Sequence, residues 1–193
     1  MNTAKRLASA LTVLVAGILF VPSAWAQPRP YRGGFREGFE LSTYLAFTDF
    51  DSKSDIDSDT GIGFRYGYLF NPNHEVEFMF NAISANDSVF TNVTVDMTNF
   101  QVAYVYNFLS HGPVPYLTAG LGVVHWDDSD LGTETDPVWA LGGGLKLFMG
   151  RVLYARFELR HNMFSGDNRV FASSEDFSFN EFSAGVGWRF PTR

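Results

Sequence analysis

FSAGVGWRF, residues 182–190, alternates two kinds of side chain without a break. One face of this segment is apolar and rich in aromatic residues: Phe182, Ala184, Val186, Trp188 and Phe190. The opposite face is small or charged: Ser183, Gly185, Gly187 and Arg189. A period of two over nine residues predicts a β-strand with two unlike faces.

The same period recurs along most of the chain and predicts eight strands. Their ranges are 38–49, 60–70, 75–84, 96–108, 115–126, 138–148, 152–163 and 177–190. Phe177 and Phe179 interrupt the parity of the last strand, which allows a β-bulge near its start.

The predicted connections alternate strictly between short and long. The short ones are 71–74, 110–113 and 149–151, and the long ones are 50–59, 85–95, 127–137 and 164–176. This alternation predicts an up-and-down antiparallel meander. Its short connections form one rim, called here the turn rim, and its long connections form the other, called the loop rim.

The first 26 residues have the features of a secretory signal peptide. Lys5 and Arg6 precede an apolar run from residue 11 to 21, and Ala24-Trp25-Ala26 fits a cleavage site. Residues 27–37 are rich in Pro, Gly and Arg and predict an irregular N-terminal arm. The predicted organisation is therefore a signal peptide (1–26), a periplasmic arm (27–37), a barrel (38–190) and a short tail (191–193).

Composition narrows the class of protein. Without Lys5 and Arg6, the chain carries 12 Lys and Arg against 21 Asp and Glu, so nucleic-acid binding is not expected. The chain has no cysteine, and 17% of its residues are aromatic. An exported, aromatic-rich chain without a second hydrophobic helix indicates an all-β membrane or envelope protein.

Strands of about ten residues can cross a bilayer when they are tilted. In lipid every backbone N–H and C=O must be paired, and strands achieve this only in a closed barrel. We therefore predict an eight-stranded antiparallel transmembrane barrel with its apolar face toward lipid. The alternative is a soluble lipocalin-like barrel or a β-sandwich with the apolar face inward. Aromatic residues at the strand ends and charges on the opposite face disfavour that alternative.

Nine ionisable side chains fall on the inward face in this register. They are Glu40, Arg65, Glu77, Lys146, Arg156, Glu158, Arg160, Glu181 and Arg189. Because five are positive and four are negative, we predict a network of paired charges that plugs a narrow lumen. A gated ion path or a catalytic carboxylate is the alternative interpretation of the same residues.

No motif predicts a metal, a cofactor or a catalytic centre. The histidines are scattered, and the acidic segments 49–59 and 127–136 do not match a calcium loop. The one catalytic arrangement considered is His161 with Ser165 and either Glu158 or Glu175 as the acid. His161 shares the parity of the outward residues, so an interfacial role is the preferred interpretation.

Two segments carry a family resemblance: Pro115 to Gly122, and the closing Gly185 to Phe190. With the signal peptide, they resemble the OmpA/OmpX-like family, the small eight-stranded outer-membrane barrels of Gram-negative bacteria. The resemblance implies an outer-membrane location, with turns in the periplasm, loops outside the cell, and lipid and lipopolysaccharide around the barrel. It also implies a signal for the barrel assembly machinery: Phe182, Val186, Trp188 and Phe190. The tail 191–193 departs from the family pattern, in which the aromatic residue is last.

The expected function is non-enzymatic: envelope structure, or contact with a surface ligand through loops 50–59 and 127–137. One alternative is an acyl hydrolase acting on lipid A or lipopolysaccharide, although His161-Asn162-Met163 lacks the His-x-Ser pairing of outer-membrane lipid A deacylases. The other is a narrow channel for small solutes.

Overall fold

The computed structural model describes residues 37–50, 59–86, 94–110, 112–128, 132–164 and 177–192. The predicted signal peptide and nearly all of the predicted N-terminal arm lie outside these ranges. No helix long and apolar enough to cross a membrane occurs in the part of the chain that the structure describes.

Eight antiparallel strands form one closed barrel in chain order, so the predicted fold class is confirmed. The strands are β1 (Gly38–Phe50), β2 (Asp59–Asn71), β3 (His74–Asn86), β4 (Thr94–Asn107), β5 (Pro113–Asp128), β6 (Gly132–Met149), β7 (Leu153–Phe164) and β8 (Phe177–Pro191). β8 pairs with β1 from Pro191 opposite Gly38 to Phe179 opposite Phe50, which closes the sheet.

The register fixes the tilt of the strands. Phe39 of β1 pairs with a residue of β2, which pairs with a residue of β3, and so on around the sheet. This row of paired residues returns to β1 at Asp49, ten residues beyond Phe39. A shift of ten residues over eight strands corresponds to a tilt of about 40° from the barrel axis. The row therefore climbs from the turn rim to the loop rim.

Two of the turns depend on glycine. Gly112 and Gly150 adopt positive φ angles of 75° and 95°, in the left-handed region that side chains disfavour. Gly112 lies in the β4–β5 connection and Gly150 in the β6–β7 connection, both on the turn rim. The tight connections predicted at these positions are therefore present.

Two predictions about local structure were wrong. The connection predicted at 127–137 is short, because β5 continues to Asp128 and β6 begins at Gly132. The two strands stay paired there, with Trp126 opposite Glu134 and Val124 opposite Asp136. The bulge allowed near Phe179 is absent, because β8 pairs regularly with both neighbours. Phe179 breaks the parity because it is an apolar residue that is buried inside the barrel.

Aromatic side chains form two belts on the outer face. Near the turn rim, Phe39 packs on Tyr68 and Tyr106 packs on Phe108, with ring centroids 5.2 Å apart in both pairs. Near the loop rim, Phe47 stacks on Phe182 at 6.1 Å. Between the belts the exposed side chains are mostly aliphatic or phenylalanine, as a surface surrounded by hydrocarbon requires.

A pair of adjacent substitutions in β8 tests which face points outward. Val186 is 41% exposed on the outer face, and Gly187 is buried on the inner face. Val186→Arg should lower the free energy of unfolding by about 2–4 kcal/mol, because it places a charge in hydrocarbon. Gly187→Ala should destabilise by about 1–3 kcal/mol through overpacking, because its β-carbon would overlap the Tyr154 ring.

The measurement is urea unfolding in phospholipid vesicles. A second series in the Tyr154→Ala background serves as the control. There the cost of Gly187→Ala should shrink, while the cost of Val186→Arg should stay the same. Equal stability of Val186→Arg and the wild type would refute the assignment of the two faces.

Candidate functional site

The barrel interior contains all nine ionisable side chains predicted for the inward face, and each is buried. Two further acids, Glu75 and Asp136, are also buried there. Glu75 shares the parity of Glu77 on β3, so the sequence signal was present but was not used. Asp136 was missed because its segment was predicted to be a loop.

Near the turn rim, one lysine joins two carboxylates. Lys146 Nζ lies 2.8 Å from Glu40 Oε2 and 2.7 Å from Glu75 Oε2. The Arg189 guanidinium donates from Nε to Glu40 Oε1 at 2.6 Å. Glu40 is thus held by two cations, while Glu75 shares Lys146 and accepts a hydrogen bond from Asn107.

At mid-height Glu158 is the centre of the network. Its Oε1 lies 3.1 Å from the nearest Arg65 nitrogen and 2.9 Å from Arg160, and its Oε2 lies 2.6 Å from Arg156. The Tyr116 hydroxyl donates to Oε2 at 2.6 Å. Three guanidinium groups therefore surround one fully buried carboxylate.

The same arginines bind further partners across the lumen. Arg156 donates both terminal nitrogens to the Glu77 carboxylate. Arg65 donates to Ser183 Oγ at 3.0 Å, and Arg160 donates to Gln101 Oε1 at 2.8 Å. These bonds tie together side chains of β2, β3, β4, β7 and β8.

An amide layer follows toward the loop rim. Gln101 donates its side-chain NH₂ to Asn162 Oδ1 at 2.8 Å and to Asn99 Oδ1 at 3.1 Å. Asn81, the cross-strand partner of Asn99, donates to Glu181 Oε2 at 2.7 Å. Neutral amides thus connect the charged layers to the apolar layer beyond them.

An apolar cluster fills the lumen beyond the amides. It consists of buried side chains from five strands: Ile83, Met97, Val124, Trp126, Val138 and Phe179. We call it the apolar cap. The cap was not predicted, although Trp126 and Val124 share the inward parity of the β5 glycines. The cap separates the charged layers from the loop rim.

Three inward tyrosines lie over glycines of neighbouring strands. A β-carbon at Gly63, Gly144 or Gly187 would overlap the ring of Tyr44, Tyr116 or Tyr154, respectively. Cations stack on two of these rings, with Arg65 Cζ 3.7 Å from the Tyr44 centroid and Arg156 Cζ 4.5 Å from the Tyr116 centroid. The glycines therefore make room for large aromatic groups in a narrow barrel.

Glu40, Glu75 and Glu77 form the one group of three potential metal ligands within the described ranges, with oxygens within 4.8 Å of one another. Positive charge is already supplied to each carboxylate. Lys146 pairs with Glu40 and Glu75, and Arg156 pairs with Glu77. The donor set therefore fits an internal ion-pair network better than a metal site.

The structure does not bring His161 and Glu158 together. Glu158 is buried inside the barrel, whereas His161 is exposed on the outer face. Side chains three residues apart on a strand point to opposite faces. Ser165 and Glu175 lie outside the described residues. The His161 ring binds Asn180 instead, with Nδ1 2.9 Å from Oδ1.

A different hydroxyl–imidazole pair lies on the outer face near the loop rim. His125 Nδ1 is 2.8 Å from Thr135 Oγ1, and both side chains are exposed. The two residues are direct cross-strand partners in β5 and β6. The sequence did not predict this pair, because the segment that contains Thr135 was predicted to be a loop.

The four residues predicted as an assembly signal lie on the outer face of β8. Val186, Trp188 and Phe190 are exposed, and Phe182 is half-buried against Phe47. The strand continues one residue further, because Pro191 pairs with Gly38. Recognition of these residues by the assembly machinery stays a prediction.

The family model for the outer membrane protein beta-barrel domain matches residues 11–190. This match covers most of the chain. The chain belongs to this family. It is therefore an outer-membrane β-barrel protein, and its outward apolar face is the lipid-facing surface.

Solved structures agree on the fold. Neisserial surface protein A is 15% identical and superposes with a TM-score of 0.66 over 79% of this chain and 97% of that protein. The N-terminal barrel domain of Pseudomonas aeruginosa OprF is 17% identical, with a TM-score of 0.53 over 78% and 97% of the two chains. Pseudomonas aeruginosa OprG is 12% identical, with a TM-score of 0.52 over 82% and 98%. No curated protein matches the sequence.

Loss of the shared cation and loss of one of its two carboxylates should affect stability differently. Lys146→Met should lower the free energy of unfolding by about 3–5 kcal/mol, because it leaves Glu75 without its cation and Glu40 with Arg189 alone. Glu75→Gln should change stability by less than about 1 kcal/mol, because an amide oxygen still accepts from Lys146 and one of two competing carboxylates is removed.

Urea unfolding in vesicles measures both values. Heat-shifted gel mobility serves as the control for correct folding of each variant. If Lys146→Met and Glu75→Gln lowered the free energy of unfolding equally, Lys146 would not be the cation that both carboxylates share.

Proposed function

We propose that this protein is a non-conducting, non-enzymatic barrel that contributes to envelope structure and contacts basic groups at the cell surface. The observation that carries the proposal is the filled lumen. Paired charges, amides and the apolar cap follow one another from the turn rim to the loop rim.

The filled lumen supports the absence of conduction in two ways. An ion entering from the loop rim would first meet the apolar side chains of the cap, which fill the lumen beside the buried Asp136. It would then have to displace the guanidinium groups from Glu158, although desolvated pairs of this kind are costly to break. A narrow channel, the alternative from the sequence, has no described path to follow.

Charge at the loop rim supports a basic partner. Asp96 and Asp127 are both exposed and lie directly opposite each other on β4 and β5. Like charges in this position repel, and a cationic group bound between them would relieve the repulsion. The acidic segment 127–131 begins at Asp127 itself. The partner is therefore expected to be a basic surface rather than an acidic one.

The remaining parts of the chain complete the proposal. Residues 1–26 direct export and are removed, and residues 182–190 are recognised during assembly into the membrane. Lipid and lipopolysaccharide then surround the outward face. Family membership supports the location in the outer membrane.

A second candidate function rests on the His125–Thr135 pair. A hydroxyl bound to an imidazole on the lipid-facing surface is the minimum an acyl hydrolase needs, with the histidine as base and the threonine as nucleophile. The imidazole bonds the hydroxyl through Nδ1, and no described carboxylate is hydrogen-bonded to its other nitrogen. The support that this pair gives to an acyl hydrolase is therefore weaker than the support that the filled lumen gives to a structural role.

Conductance and lipid A composition separate these candidates. In planar bilayers the purified wild-type protein should give no unitary conductance steps, while an open porin in the same chamber gives them. Mass spectrometry should show the same lipid A in cells with and without the protein. A conductance step would refute the plugged lumen. A lost acyl chain that returns in Thr135→Ala would establish the hydrolase.

Binding of a basic ligand is a separate test. A fluorescent oligolysine peptide should bind vesicles that contain the protein, and binding should weaken as salt is added. Asp96→Asn combined with Asp127→Asn should reduce the affinity about tenfold, equivalent to 1.4 kcal/mol. The matched control is Glu181→Gln, which removes one carboxylate from the buried interior. Equal binding by all three proteins would contradict a basic partner at this rim.

A further inference from the structure

The lipid-facing surface is not uniform. A groove of about 670 Å³ crosses its side from β3 to β7, and its lining is almost entirely apolar. Small side chains form its floor, namely Val76, Val102 and Ala119. Leu121, Trp139 and Leu141 project beside them, and Trp139 is 61% exposed.

We infer that this groove is a binding site for one acyl chain of a membrane lipid. The groove is continuous with the lipid-facing surface, so acyl chains always have access to it. Its volume lies in the range of sites for small molecules, which is 300–1,000 Å³ in general. Close packing, rather than hydrophobic burial, would hold a chain there, because lipid tails are as apolar as the lining.

The dimensions of the groove fit a single chain. It crosses five strands, so its length is about four interstrand spacings, or roughly 19 Å. Because the strands are tilted by about 40°, the groove climbs obliquely, from Val76 near the turn rim to Met163 near the loop-rim end of β7.

Polar side chains border the groove on β7 and β8. Leu141, which lines the groove, pairs with His161 on the next strand, and His161 is bonded to Asn180. His161 is exposed on the outer face. An imidazole and an amide beside the apolar lining are suitable partners for the polar part of a lipid.

Two other occupants fit the geometry less well. A twofold contact between two copies would set the groove against its own counterpart and leave both unfilled. An extended peptide would need a free strand edge for its backbone, and the closed barrel has none. A lipid chain needs neither a matching ridge nor a free edge.

Two tryptophans provide the test. Trp139 lies in the groove, whereas Trp188 lies on the lipid-facing surface outside it. The protein in detergent micelles receives an equimolar amount of phosphatidylethanolamine with brominated acyl chains, which quench tryptophan fluorescence on contact. Trp188→Phe leaves Trp139 as the reporter, and Trp139→Phe leaves Trp188. Trp126 is buried in both variants.

The expected result is a tenfold higher affinity of the brominated chain for the site at Trp139 than for the surface at Trp188, equivalent to about 1.4 kcal/mol. Equal quenching would overturn the proposal, because the groove would then be ordinary lipid-facing surface. Weaker quenching of Trp139 would also overturn it, because a second copy would be shielding the groove.

A matched pair of alanines tests the groove itself. Ala119→Phe fills the floor and should abolish the preference, whereas Ala184→Phe adds the same volume on β8, outside the groove, and should leave it intact. Loss of the preference in both variants would overturn the assignment. If heat-shifted gel mobility shows that Ala119→Phe does not fold, the comparison of quenching at Trp139 and Trp188 still tests the proposal.

Discussion

Closure of the sheet is the constraint on which the rest of this structure depends. In hydrocarbon an unpaired backbone N–H or C=O has no water to bind, so a membrane-spanning sheet cannot keep an open edge. Pairing of β8 with β1 removes the last edge. Once eight strands close with a shift of ten residues, the tilt and the width of the lumen follow.

A lumen of that width explains the composition of the inward face. It is too narrow to leave a wide aqueous pore and too large to be filled by small side chains alone. Large aromatic rings over glycines fill part of it, and long charged side chains fill the remainder. Because burial makes an unpaired charge costly, these charges are arranged in pairs, with three arginines around Glu158. Filling and pairing together produce a plug rather than a channel.

The outward face follows a different rule. It has to be apolar to contact hydrocarbon, and it carries no charge between its aromatic belts. The shape of this surface is free to vary. Where small residues on neighbouring strands lie diagonally to each other, as Val102 and Ala119 do, a groove results. Where polar residues lie near the aromatic belt at the loop rim, as His125, Thr135 and His161 do, the surface can contact headgroups or loops. Such local differences distinguish one barrel of this fold from another.

Alternation along single strands was enough to predict eight strands and the burial of residues such as Glu40, Arg156 and Arg189, and the connections between the strands predicted their order. The reason is physical: a strand has a period of two, and the two faces of this barrel meet opposite environments. Alternation did not predict which charges meet. Glu158 and Arg65 are 93 residues apart in the chain and are brought together only by closure and tilt. The apolar cap, the His125–Thr135 pair and the oblique groove also depend on register between strands, which the tertiary structure alone decides, because hydrogen bonding sets register across the sheet and not along the chain.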